Sequence, residues 1–131
     1  AVVVRARYHQ AQSGALCIAA SCAGAAVAGA EEAEWRALGD AIGQSYQVAD
    51  DILDAAADAD DIGKPTGQDV SLNRPSAVRQ FGLDGAVRHL HELVDASVAA
   101  VPACPGREQL QQLVRNQARR FLPEGLVVQA A

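Results

Sequence analysis

The chain has 131 residues, half of them hydrophobic, with aromatic side chains at only 4% and a formal net charge of −5. That length and apolar fraction suffice for one core and argue for a single domain. The acidic balance and the lack of any Lys/Arg-rich run exclude the electrostatic footprint of a nucleic-acid binder.

Residues 3–28 read as one helix, because small and apolar side chains recur without strand alternation and no proline intervenes. Its most apolar part, GALCIAASCAGAAVAGA, is seventeen residues built mainly of alanine and glycine. It is too short and too weakly hydrophobic for stable membrane insertion and reads as a core helix. The leading AVVV lacks the charged flank and cleavage pattern of an export signal, so the cytoplasm is the expected compartment. Cys17, Cys22 and Cys104 have neither CxxC spacing nor an even count, which suits a reducing compartment, and the first two read as small core side chains.

Glu31, Glu32 and Glu34 open a second helix expected to reach about residue 57, their charges favouring its N-terminal dipole. Leu38, Ile42, Tyr46, Ala49 and Leu53 form its apolar stripe. Residues 58–76 carry two glycines, two prolines and several Asp, Asn and Ser, and read as loop. Two more helices are expected at about 76–100, with a turn around Gly82, and at 106–121, separated by PACPG. There is no internal repeat and no strand pattern. His9, His89 and His91 have no carboxylate at metal spacing and read as solvated or core histidines.

The second helix contains GQSYQVADDILDA, residues 43–55, with three aspartates in five positions. At about 100° per residue, Gly43, Gln47, Asp50 and Asp54 share one face and Asp51 lies at its edge. Like charges one turn apart repel by about a few tenths of a kcal/mol. A divalent cation removes that conflict: Asp50 and Asp54 can offer oxygens to one ion, with Asp51 nearby for a second ion or its water shell. Mg2+ suits such a face, because it accepts few carboxylates and takes its other ligands from water and phosphates. The alternative is a solvated acidic face. Downstream, GKPTGQD places Lys64 between Gly63 and Gly67, a cation among backbone amides able to approach an anion. Carboxylates for metal and a lysine-glycine loop for free oxygens together match a metal–diphosphate complex. The loop fits neither a Walker sequence nor GxGxxG. A calcium loop starting at Asp58 fails at Ile62, and Asp69 is shorter than the glutamate expected at its end.

The order Gly43-x-x-Tyr46-Gln47-x-x-Asp50-Asp51-x-x-Asp54, then Gly63-Lys64-x-x-Gly67-x-Asp69, resembles the second aspartate-rich motif and following loop of the trans-prenyl diphosphate synthases. WRALGDAIGQSYQVADDILDA and GKPTGQDVSLNRPSAV extend the resemblance toward the bacterial geranylgeranyl diphosphate synthases of carotenoid and photosynthetic pigment pathways. The resemblance implies an all-α isoprenoid-synthase bundle of which residues 1–131 form the C-terminal half, a partial polyprenyl synthetase domain. It also implies a Mg2+-dependent prenyltransferase, homodimeric when full length, that condenses isopentenyl diphosphate with an allylic diphosphate. By the same resemblance Asp50, Asp51 and Asp54 are metal ligands, and Asp50, Asp51 and Lys64 serve catalysis. Gln12, Ser13, Tyr46, Gln47, Lys64 and Arg74 fall at substrate-contact positions.

Tyr46 stands where the family usually has phenylalanine, and Gln12-Ser13 where it places Lys-Thr, so a cation is missing unless Arg5 replaces it. The first aspartate-rich motif and the isopentenyl diphosphate site would lie outside this chain, which alone is expected to be inactive. A different class remains open, a non-catalytic module that binds a diphosphate or a prenyltransferase partner. A third is a purely structural helical module. Half a bundle is also expected to expose a contiguous apolar helix face and to self-associate.

Overall fold

In a computed structural model that describes residues 10–60 and 76–122, a π-helical turn, Gln10–Gly14, leads directly into helix α1, Ala15–Val27. The part of the expected 3–28 helix that precedes residue 10 lies outside the described residues. The end of α1 is set by Gly29, whose positive φ of 72° closes a Schellman turn: Gly29 donates its N–H to the Ala26 carbonyl and Ala30 donates to the Ala25 carbonyl. Helix α2 follows as Glu32–Asp60, three residues longer than the sequence pattern suggests. The alanine-rich run AAADAD sustains helix despite its aspartates, so the expected loop does not begin at 58. Residues 61–75 of that loop lie outside the described residues.

Helix α3, Ala77–Ala99, contains the expected break: Gly82, at φ 72° and ψ 172°, interrupts its helical backbone in a conformation that side-chain-bearing residues rarely adopt. Phe81 packs across this kink on His89, ring centroids 5.1 Å apart. Helix α4, Arg107–Phe121, is tied to the end of α3 by two side chains. Arg107 Nε donates to the Val101 carbonyl at 3.0 Å, and Gln111 Nε2 donates to the Val98 carbonyl at 3.0 Å. The two bonds anchor the first turns of α4 to the last turn of α3 and the segment just after it. The described residues are helical with no strand, as expected, and none of their helices is long and apolar enough to cross a membrane.

Helix α2 lies between α1 and α3, and this position corrects the expected stripe. Val48, Ala49 and Ile52, each nearly fully buried, join Ala77, Ala86, Leu90 and Leu122 in the core against α3. Tyr46 and Leu53, placed on the apolar stripe by the sequence, are 46% and 41% exposed. The reason is geometric. A helix flanked on two sides buries two faces, and Tyr46 and Leu53 fall on the seam between them at about 100° per residue. The second buried face is made of glycine. A Cβ on Gly39 would lie 2.6 Å from the Ile18 Cα, and one on Gly43 would lie 2.7 Å from the Gly14 Cα, so α1 and the π turn approach the α2 backbone directly.

Among the described residues, none covers the far side of α1. Leu16 and Val27 are 74% and 91% exposed, with exposed Ala20 and Ala23 between them along the same line of the helix. The expected uncovered apolar face is therefore present. On the α3 side of α2, α4 borders a half-open apolar pocket of about 220 Å3 lined by Ile42, Val94, Leu113 and Phe121, with Ser45 and Ser97 also at its wall.

Candidate functional site

The glycine face of α2 continues along the helix into the acidic residues. Gly39 and Gly43 are buried against α1 and the π turn, Gln47 is 7% exposed one turn further, and Asp50 and Asp54 emerge beyond it as exposed side chains. The face expected to be polar and acidic throughout is thus divided: its first half is a packing surface and only its second half meets solvent. The junction is marked by Ser13, whose Oγ donates to the Gln47 Oε1 at 2.7 Å. A buried amide oxygen needs a donor, and the hydroxyl from the π turn supplies it. Two residues expected to contact substrate are therefore brought together, next to the exposed carboxylates. Close by, Cys17 lies half-buried, its Cβ 3.5 Å from where a Gly43 Cβ would be, and burial pushes its thiol pKa up.

The three aspartates do not act as one cluster. Asp51 points to another neighbour: its Oδ2 accepts the Ala77 backbone N–H at 2.7 Å, at the first residue of α3. Ser76, the residue at the cap position, makes no side-chain capping bond, and the carboxylate from α2 satisfies the first free amide of the helix instead. Among the described residues, no group of three or more His, Cys, Asp or Glu side chains is gathered to hold a metal. Asp50 and Asp54 nonetheless present hard oxygen donors one turn apart and open to solvent, the donor chemistry that Mg2+ accepts when water and phosphate complete its shell. The residues present fit that ion as a two-carboxylate contribution.

Tyr46 sets its ring edge-on to Phe121 of α4, centroids 5.5 Å apart. Gln12 belongs to the π turn, and its side chain lies outside the described set, as do Arg5, Lys64 and Arg74. His89 lies against Phe81 and 3.7 Å from the Glu92 carboxylate one turn on, a pairing the sequence reading did not give it, whereas Cys22 is buried, in keeping with its reading as a core side chain. Two features were not anticipated from the sequence. One is the close approach at Gly39 and Gly43, for which the four-residue spacing of the glycines was the available signal. The other is the cap by Asp51, which joins residues 26 apart and has no local signature.

The described residues thus form an all-α unit whose central helix presents Asp50 and Asp54 to solvent at its far end. The chain matches the polyprenyl synthetase family over residues 6–110, and it belongs to that family. It is 46% identical over 116 residues to the geranylgeranyl diphosphate synthase of Cereibacter sphaeroides, covering 88% of this chain and 40% of that one. The geranylgeranyl diphosphate synthase of Rhodobacter capsulatus is 44% identical over 117 residues, at 89% and 40% coverage. The farnesyl diphosphate synthase of Escherichia coli is 36% identical over 116 residues, at 84% and 35%. No solved structure gave a significant match. The chain spans about 40% of the length of the two geranylgeranyl diphosphate synthases it matches.

Proposed function

We propose that the whole protein is a trans-prenyltransferase of isoprenoid and carotenoid biosynthesis. It joins isopentenyl diphosphate to an allylic diphosphate to make a polyprenyl product, geranylgeranyl diphosphate in particular, and residues 1–131 form its C-terminal half. The observation that carries this reading is the exposed Asp50–Asp54 pair beside the Ser13–Gln47 bond, in a chain 46% identical to a geranylgeranyl diphosphate synthase.

In this reading Asp50 and Asp54 hold Mg2+, with Asp51 behind them, and Lys64 and Arg74 neutralise diphosphate oxygens. Bound there, the ion would polarise the diphosphate and stabilise it as the allylic C–O bond breaks. The chain's own residues do the remaining work. Gln47 is held in one orientation by Ser13, so its amide presents a fixed dipole to whatever lies alongside. Tyr46, steadied by Phe121, offers an apolar ring edge at the side of the same helix. Three free cysteines support a reducing, cytoplasmic setting, and the uncovered Leu16–Val27 face supports burial against the rest of the domain in a homodimer.

One observation favours a second reading, a non-catalytic module that binds a diphosphate or a partner prenyltransferase: position 12 carries glutamine where the family has lysine. Turnover of isopentenyl and allylic diphosphates by the complete gene product with Mg2+ tests both. The enzyme reading expects product and a clear gain with Gln12→Lys. No product from either form, together with retained diphosphate binding, would support the module.

A further inference from the structure

We infer that Asp51 is a positioning residue that clamps the start of α3 onto α2, and that it does not ligate the metal. The inference rests on the reading of Asp50 and Asp54 as the metal-binding pair, but its geometry stands apart from them. On α2, Asp51 lies about 100° around the helix from Asp50, on the side toward α3. Its Oδ2 takes the Ala77 N–H at 2.7 Å. That amide belongs to the first turn of a helix, where no carbonyl of the same helix is available to it. Ser76 is extended, at φ −131° and ψ 142°, as a capping residue is, yet its own side chain makes no capping bond. The cap is thus supplied across the interface between two helices instead of from within one.

The clamp has something short to hold. Gly82 interrupts α3 after residues 77–81, a segment too brief to be stable on its own intrachain bonds. Several contacts seat it: Ala77 is fully buried in the core, Val78 packs against that core, Phe81 rests on His89, and the Ala77 N–H is bound to Asp51. The chain leaving α2 at Asp60 must therefore return to within one hydrogen bond of Asp51 by residue 77.

Asparagine separates the two roles, because its amide oxygen can still accept the Ala77 N–H, whereas it is a poor ligand for Mg2+. The test compares Asp51→Asn, Asp51→Ala and Asp50→Asn in the complete gene product. Amide hydrogen exchange at Ala77 is read alongside the Mg2+ concentration needed for half-maximal uptake of inorganic diphosphate. Asp51→Ala is expected to speed exchange at Ala77 by about tenfold, with Asp51→Asn restoring most of the protection. Asp51→Asn should keep the Mg2+ requirement within about twofold of the parent, while Asp50→Asn raises it about tenfold or more. Unchanged exchange at Ala77 in Asp51→Ala overturns the clamp. A Mg2+ requirement raised equally by Asp51→Asn and Asp50→Asn overturns the exclusion of Asp51 from the metal shell. Failure of every form to take up diphosphate with Mg2+ would sink the proposed function instead, and exchange at Ala77 would still decide for or against the clamp.

Discussion

The Ser13 hydroxyl donates to the Gln47 side-chain oxygen at 2.7 Å, joining the π turn before α1 to the middle of α2. Gln47 is 7% exposed, so water is poorly placed to replace that donor. Ser13→Ala should lower stability by about 1–3 kcal/mol, the cost of leaving a buried polar atom unpaired. Ser13→Thr, which keeps the hydroxyl, should recover most of it. Chemical denaturation of the two variants checks this, and equal midpoints for Ser13→Ala and the parent would contradict it.

Two glycines in neighbouring helices should respond in opposite directions to the same change. A Cβ on Gly39 meets backbone atoms of Ile18 and Cys17 at 2.6 and 2.7 Å, and backbone cannot rotate away. Gly39→Ala is expected to cost about 1–3 kcal/mol by forcing α1 and α2 apart. Gly24 is within α1 with nothing inside 4 Å, so Gly24→Ala should stabilise by about 0.5–1 kcal/mol through reduced chain entropy and better helix propensity. Thermal melts of the pair provide the measurement.

Asp50→Asn should have opposite effects with and without metal. In metal-free buffer it relieves like-charge repulsion with Asp54 and raises stability by about a few tenths of a kcal/mol. With Mg2+ and inorganic diphosphate, the parent should gain about 2.7 kcal/mol once ligand reaches a hundred times its dissociation constant. The variant should gain far less. Equal ligand-induced shifts in melting temperature would remove Asp50 from the metal site.

Burial raises the Cys17 thiol pKa from its ordinary value of 9.0, and the sign of the pH effect follows. The folded state favours the neutral thiol, so its contribution to stability is complete below pH 9.0 and is lost as pH rises through the higher folded value. The stability difference between the parent and Cys17→Ala should be flat through neutral pH and shrink in alkali. Cys17 should also be alkylated more slowly than a free thiol at the same pH.

Much of this architecture was legible in the sequence because it depends on local chemistry. Gly29 and Gly82 mark backbone that only glycine adopts readily, and the alanine-rich segments between such breaks read as helices. The pairing of α2 with two neighbours was less legible. An apolar stripe assumes one buried face, and α2 buries a second one through hydrogen atoms in place of side chains, so Tyr46 and Leu53 were misplaced. At the candidate site, the spacing of Asp50 and Asp54 along one helix was enough to pair them. The direction of Asp51 was not, because it depends on where a residue 26 positions later returns in space.

The position of α2 between two neighbours has a consequence for any cation that arrives at its end. Gly39 and Gly43 fix the backbone against α1, and Val48 and Ile52 fix it against α3. The separation of the Asp50 and Asp54 attachment points is then set by the pitch of a helix packed on two sides. Were the proposed ion bound there, its two donors would be preorganised: the entropy of assembling them is lost when the chain folds, so little reordering of the scaffold would oppose binding.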